Sequence, residues 1–224
     1  MPLDPEKSVA DHRAIAARYD HSTRRTNGVR LAAIAALGLQ PGETVLNVGC
    51  GSGFSFAAIL AAIGPRGVLL AFDHSEDLLA IARRHIAAAG WNNVVLLQAR
   101  AERVDFRPEM TRRGIAPPSA LLFSYVHDVM QSEGAIDNLL AQAAPRARVA
   151  ITSTKLWPRA WWPLCLPVNA YLYQTHERYI TNRDENFDRP WAKLARHLAP
   201  FDVRVRWPGW RYVACGRVKD TLIK

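Results

Sequence analysis

An α/β fold is predicted for this chain: a doubly wound, mostly parallel sheet of seven strands with helices on both faces. Three observations predict it. Short apolar, β-branched runs alternate with helical patterns from residue 28 to residue 154, and such alternation requires right-handed crossovers that lay helices on a parallel sheet. A turn with glycines at 49, 51 and 53 directly follows the first run, where open α/β sheets place their ligands. The stretch 202–218 reads as two strands around a Pro-Gly turn.

The elements follow in order. Residues 9–20 and 28–39 read as helices, the second with apolar positions 31, 34, 37 and 39, and "QPGE" at 40–43 is a turn. The run 44–49 is a buried strand, and 54–64 a helix stopped by Gly64 and Pro65. After a strand at 67–73, residues 75–90 form an amphipathic helix with a Ser75 cap, a terminal Gly90 and an apolar stripe of Leu78, Ala82, Ile86 and Ala89. Strands at 93–99, 120–126 and 148–154 continue the pattern, with a helix at 133–144 before the last. Beyond 154 the alternation breaks, with three prolines within ten residues and many aromatics.

With 224 residues, 49% of them hydrophobic, the chain is long enough for one well-packed domain. The expected organisation is a single domain over 1–224, with a helical cap at 1–40 and an aromatic-rich lid or substrate-binding insertion at 155–190. No apolar run reaches membrane-spanning length, and the first residues lack the pattern of a secretory signal. Cys50, Cys165 and Cys215 are scattered, so neither a disulfide framework nor a zinc site is expected, no metal is called for, and a reducing cytoplasm fits. The net charge of +9 is uneven: residues 154–224 carry +7 and six of the seven tryptophans. That segment is either a surface for an anionic, aromatic or lipid-like partner or a solvated basic face over an aromatic core.

The glycine turn narrows the chemistry. A phosphate-binding P-loop needs GxxxxGK[ST], which is absent; a dinucleotide fingerprint needs GxGxxG, whereas the spacing here is GxGxG. "VLNVGCGSG" at 45–53, Asp73 at the end of the second strand, "ARAER" at 99–103, "LLFSYVHDV" at 121–129 and "PRARVAI" at 145–151 together resemble the class I S-adenosylmethionine-dependent methyltransferases over about 19–154. The resemblance implies the Rossmann-like methyltransferase fold, S-adenosyl-L-methionine as cofactor and S-adenosyl-L-homocysteine as product. It implies that Gly49, Gly51 and Gly53 seat the amino acid end of the cofactor, which has no phosphates to cradle. Asp73 would accept from both ribose hydroxyls; a helix N-cap or plain strand-end acid is the alternative. Ala101 and Glu102 would hold adenine through backbone groups, with His74 beside its edge and Ser124 near the methyl. Tyr19 would close over the cofactor or anchor the N-terminal helix. Two positions depart from the family pattern. Asn47 stands where an acid usually faces the cofactor's ammonium, and Arg100 stands where an Asp usually accepts from the adenine amine, which Arg cannot do.

Methyl transfer is an in-line displacement that depends on alignment, with a base needed only for a protonated nucleophile. His127, Tyr125 and Asp128 are the catalytic candidates: His127 as base, Asp128 orienting it or holding an amine, Tyr125 lining the pocket. The alternative is that His127 and Asp128 cap the turn before the next helix. The chain has neither an [ND]PPY motif nor a cysteine close after the fourth strand, and its basic residues are interleaved with acids, so nucleic acid is disfavoured. A small-molecule acceptor with an N or O nucleophile is expected. Trp157, Trp161, Trp162, Tyr171, Tyr173 and Tyr179 would line its pocket or pack the lid on the sheet. Alternatives are an enzyme acting on amine lipid head groups, with peripheral membrane contact, and a catalytically silent binding module. The oligomeric state is left open.

Overall fold

The computed structural model describes residues 27–155, 166–167, 170, 189–206 and 209–220. One seven-stranded sheet organises them: β1 Thr44–Val48, β2 Val68–Asp73, β3 Val94–Gln98, β4 Ala120–Ser124, β5 Arg148–Thr154, β6 Leu198–Arg206 and β7 Arg211–Val218. Their order across the sheet is β3-β2-β1-β4-β5-β7-β6. β1 to β5 pair in parallel, and β7 is antiparallel to both β5 and β6. The order reverses between β1 and β4, which creates a crevice at their carboxyl ends where the chain departs to opposite sides.

Two hydrophobic layers follow from the period of two along each strand. Leu46, Val48, Leu70, Phe72, Leu121, Phe123, Val149 and Ile151 point to one side. There they meet α4 Arg107–Arg113, α5 His127–Gln131, α6 Glu133–Leu140 and α7 Ala192–Ala195 through Met110, Met130, Ile136, Leu139 and Leu194. Val45, Leu69, Ala71, Ala120, Leu122 and Ala150 point to the other side. That side is covered by the helix at 27–36 (α1), α2 Phe56–Ile63 and α3 Glu76–Ala89. Near the far edge, Tyr212 of β7 is fully buried, with Trp191 packed on its ring at 4.5 Å.

Local chemistry sets the helix ends. Ser75 caps α3 by accepting from the Leu78 N–H, and Gly90 ends it in the left-handed conformation. The Glu43 carboxylate pairs with Arg148, tying the turn before β1 to β5.

Several sequence expectations are corrected. The buried face of α1 runs through Val29, Arg30, Ala33, Ile34 and Leu37, while Leu31 lies outward and 45% exposed. In α3, Leu79 is buried and Ala89 exposed. β4 ends at Ser124, because Tyr125 adopts a φ of 59°, which breaks the extended geometry. The expected turn after it is the short helix α5. α4 and α7 are additional; at seven and four residues they are too short to show an apolar period. The expected helix at 9–20 and most of the aromatic insertion, including Trp157, Trp161, Trp162, Tyr171, Tyr173 and Tyr179, lie outside the described residues.

Candidate active site

The glycine turn leaves β1 with every glycine at positive φ: 56° at Gly49, 55° at Gly51 and 84° at Gly53. A side chain would be strained at each. Two of the three also clear space for neighbours. A Cβ at Gly49 would sit 2.4 Å from Val126 Cγ1, and one at Gly53 would sit 2.8 Å from the Phe56 ring. The loop is thus folded tightly onto α2 and onto the residue preceding α5. Its backbone is fixed by Cys50 N–H donating to Phe72 O at 2.8 Å and Gly53 N–H donating to Cys50 O at 3.0 Å. The Cys50 thiol is pushed well up, first by burial and then by the neighbouring Asp73 carboxylate, so it is not a nucleophile at neutral pH.

Asp73 joins two elements at this end of the sheet. Its Oδ2 accepts from Gly51 N–H at 2.8 Å, and its Oδ1 accepts from Ser75 N–H at 2.9 Å. The carboxylate is buried. The helix cap is Ser75, so the capping alternative for Asp73 gives way to a strap between the glycine loop and the entry to α3. Each carboxylate oxygen retains acceptor capacity beyond the bond it already accepts, which suits a pair of ribose hydroxyls. His74 is half-buried beside it, with Nδ1 3.5 Å from Asp73 Oδ1.

Around these groups lie polar atoms that the fold does not satisfy. Asn47 is 2% exposed and Ser52 3% exposed. Asn47 Nδ2, Ser52 Oγ and Ser124 Oγ are buried without a hydrogen-bond partner among the described residues. Buried polar atoms are normally bonded, so three orphans at one end of the sheet mark a place built for something else. Asn47 and Ser124 belong to adjacent strands, β1 and β4. Both continue the side-chain set of Val45, Ala120 and Leu122, so both face the α1 side of the sheet. On that side the guanidinium of Arg30, itself 7% exposed, lies 5.6 Å from the Phe54 ring centroid and 6.0 Å from that of Tyr125. Arg30 was not among the sequence candidates. Its signal is visible in retrospect, since it occupies the i position of the i, i+3, i+4, i+7 stripe with Ala33, Ile34 and Leu37.

The fourth-strand residues separate into two groups. Tyr125 turns the chain in the left-handed region, with its N–H donating to Thr152 O at 2.9 Å; an aromatic residue with positive φ is a strained position of the kind found at functional sites. His127 is buried in the first turn of α5, and its Nε2 is 2.6 Å from Ser153 Oγ on β5. Asp128 differs. It is exposed at the start of α5. Desolvation pushes its carboxyl above the usual range, with His74 lowering and Asp73 raising it. Asp128 thus lies within electrostatic reach of Asp73 and His74.

The loop expected to meet adenine is pinned from behind by α6. Ala101 is buried, and its carbonyl accepts from Asn138 Nδ2 at 2.8 Å; the Glu102 carboxylate accepts from Ser132 Oγ at 2.9 Å. Arg100 is exposed, and its carbonyl accepts from the N–H groups of Arg103 and Val104. Tyr19 lies outside the described residues.

S-adenosylmethionine fits this donor set: an acid for hydroxyls, a tight loop without phosphate-binding residues, and orphaned polar atoms beside the loop. Asn47 sets this chain apart from the acid-bearing pattern. Residues 45–147 match the family model of a methyltransferase domain. Demethylmenaquinone methyltransferase of Geobacillus stearothermophilus is 31% identical over 97 residues, 41% of this chain and 42% of that protein. Protein-L-isoaspartate O-methyltransferase of Rhizobium meliloti is 43% identical over 63 residues, 28% of this chain and 29% of that protein. The chain thus spans less than half the length of these relatives. Among solved structures, Aeropyrum pernix fibrillarin with natively bound S-adenosyl-L-methionine superposes with a TM-score of 0.56 at 18% identity, covering 85% of this chain and 76% of that one. Residues 45–147 thus match a methyltransferase domain, and their strand order, glycine turn and strand-end acid are those of the class I S-adenosylmethionine-dependent methyltransferase fold.

Proposed function

We propose that this chain is an active methyltransferase that moves a methyl group from S-adenosylmethionine to a nitrogen or oxygen of a small-molecule acceptor. One observation carries the reading: the buried Asp73 carboxylate at the end of β2 holds the glycine loop through Gly51 N–H, with Asp128 of α5 within its electrostatic reach. The cofactor supplies an electrophilic methyl when bound. Asp73 holds its ribose, the loop Gly49–Gly53 seats its amino acid end, and the turn at Ala101 and Glu102 borders its adenine. Asp128 would take the proton from the acceptor's nitrogen or oxygen, leaving the lone pair free to attack the methyl, since a carboxylate with a raised pKa is a better base near neutrality. His127 is held by Ser153 and shapes the first turn of α5, and Tyr125 forms the wall between them.

A small acceptor is favoured over nucleic acid by the pairing of the basic residues. Arg83, Arg107, Arg112, Arg113, Arg146, Arg148, Arg196 and Arg204 each pair with a carboxylate. A phosphate-tracking surface keeps its cations available. The test is transfer of labelled methyl from S-adenosylmethionine into a cell extract. Label in the low-molecular-weight fraction supports the proposal; label confined to acid-precipitable protein or RNA overturns the small-molecule part.

A further inference from the structure

Two amide side chains hold the loop that follows β3. Asn138, half-buried on α6, donates from Nδ2 to the carbonyls of Ala101 at 2.8 Å and Val104 at 2.9 Å. Gln142, buried just past the end of that helix, donates from Nε2 to the carbonyls of Val104 at 2.9 Å and Asn138 at 3.1 Å. Its Oε1 accepts from Phe106 N–H at 2.8 Å. With both donors and the carbonyl of Gln142 engaged, its amide has a single orientation. These bonds decide which way the loop's backbone faces. In a trans peptide the C=O and the following N–H point in opposite directions. The Ala101 carbonyl is held on the α6 side, so Glu102 N–H points away from α6. The Arg100 carbonyl is taken by Arg103 and Val104 N–H inside the turn, so Ala101 N–H points out of the turn. Neither the Ala101 nor the Glu102 N–H donates to an acceptor among the described residues.

We infer that Asn138 and Gln142 are positioning residues for the cofactor: by holding the Ala101 and Val104 carbonyls on the α6 side, they set the Ala101 and Glu102 N–H groups to donate to the ring nitrogens of adenine. This rests on the reading that the turn at Ala101 and Glu102 borders adenine, and adds what fixes that turn. Arg100 cannot accept from the adenine amine, so the base is read by backbone donors whose direction α6 sets. Asn138→Asp keeps the shape of the side chain, removes both of its donors and places a carboxylate against two carbonyl oxygens. Like charges and unpaired acceptors there push the turn off α6, and the two N–H groups lose their common direction.

The experiment is titration calorimetry of the full chain, well below its Tm, with S-adenosylhomocysteine and with S-ribosylhomocysteine, which lacks the base. Asn138→Asp is expected to bind S-adenosylhomocysteine about ten-fold more weakly than wild type, and S-ribosylhomocysteine within about three-fold of wild type. A role in stability alone would lower the Tm and leave both affinities unchanged; a general loosening of the site would weaken both ligands alike. Either result overturns the inference. A second measurement needs no variant and decides the matter even where the substitution prevents folding. Hydrogen exchange at the Ala101 and Glu102 amides of wild type is expected to slow at least about ten-fold with saturating S-adenosylhomocysteine and to change by less than about two-fold with S-ribosylhomocysteine. Equal rates with and without S-adenosylhomocysteine overturn the inference while leaving the cofactor in place. Failure of wild type to bind S-adenosylhomocysteine overturns the cofactor reading itself, which separates the two failures.

Discussion

At the scale of single residues, Asp73 and Asp128 show how the same side chain serves two purposes. Asp73 spends one lone pair of each oxygen on a backbone N–H. Replacing it by Asn leaves one acceptor oxygen for two donors. We expect Asp73→Asn to melt lower by the equivalent of about 1–3 kcal/mol, the cost of orphaning a buried N–H, and to bind S-adenosylhomocysteine at least about ten-fold more weakly by calorimetry. Intact affinity would assign Asp73 to structure alone. Asp128 also accepts from backbone N–H at the start of α5, yet desolvation displaces its carboxyl upward. The folded state therefore holds that proton more tightly than the unfolded chain does. Stability is lost as pH rises from the ordinary carboxyl value through the raised folded value, and the loss is complete above it. Asp128→Asn should consequently melt higher than wild type at pH 7 and converge with it below the ordinary carboxyl range. The same variant should lower kcat and remove the acidic limb of the pH–rate profile; an unchanged limb would take the role of base away from Asp128.

At the scale of elements, the glycine turn owes its sequence to two demands that the spacing alone does not separate. Positive φ is needed at all three glycines, and at Gly49 and Gly53 the missing Cβ makes room for Val126 and Phe56. Gly49→Ala is predicted to destabilise the chain by more than the roughly 1–2 kcal/mol of left-handed strain. The double change Gly49→Ala with Val126→Ala should recover only the steric part, measured as Tm by calorimetry; full recovery would show that φ carries no cost there. The same turn illustrates what was legible in advance. A β-branched run followed by alternating glycines reads as strand and loop because the chemistry is local. β5 and the Ser75–Gly90 helix were equally legible, since propensity, cap and period agree. Leu31 was misread, and Arg30 passed over, because an apolar residue was assumed to face inward. Arg30 takes the inward place by stacking on rings that lie 24 and 95 positions further along the chain, a contact with no local signature. The Ser153–His127 contact and the strained Tyr125 are hidden for the same reason, and α4 and α7 are too short to declare a period.

At the scale of the whole molecule, the reversal of strand order between β1 and β4 explains why the candidate residues converge. Asn47 and Gly51, Asp73, and Ser124 and Asp128 come from three separate stretches of the chain, yet each lies at or just past the carboxyl end of a parallel strand that opens on the crevice. Parallel pairing brings those ends into register, and the helices on either side hold them there through two continuous cores. The antiparallel β6–β7 pair extends the sheet away from the crevice and carries exposed Arg204, Arg206 and Arg217. No described helix is long and apolar enough to cross a membrane. If the basic edge were a membrane contact, the chain would co-sediment with anionic vesicles at 0.15 M salt; a small-molecule enzyme is expected to stay in the supernatant, because charges outside a Debye length of about 8 Å are screened. The central claim is that this crevice holds S-adenosylmethionine, and titration calorimetry of the wild-type chain with S-adenosylmethionine and S-adenosylhomocysteine tests it most directly. The account predicts saturable one-to-one binding of both, weakened by Asp73→Asn; no heat of binding for either at millimolar concentration would contradict it.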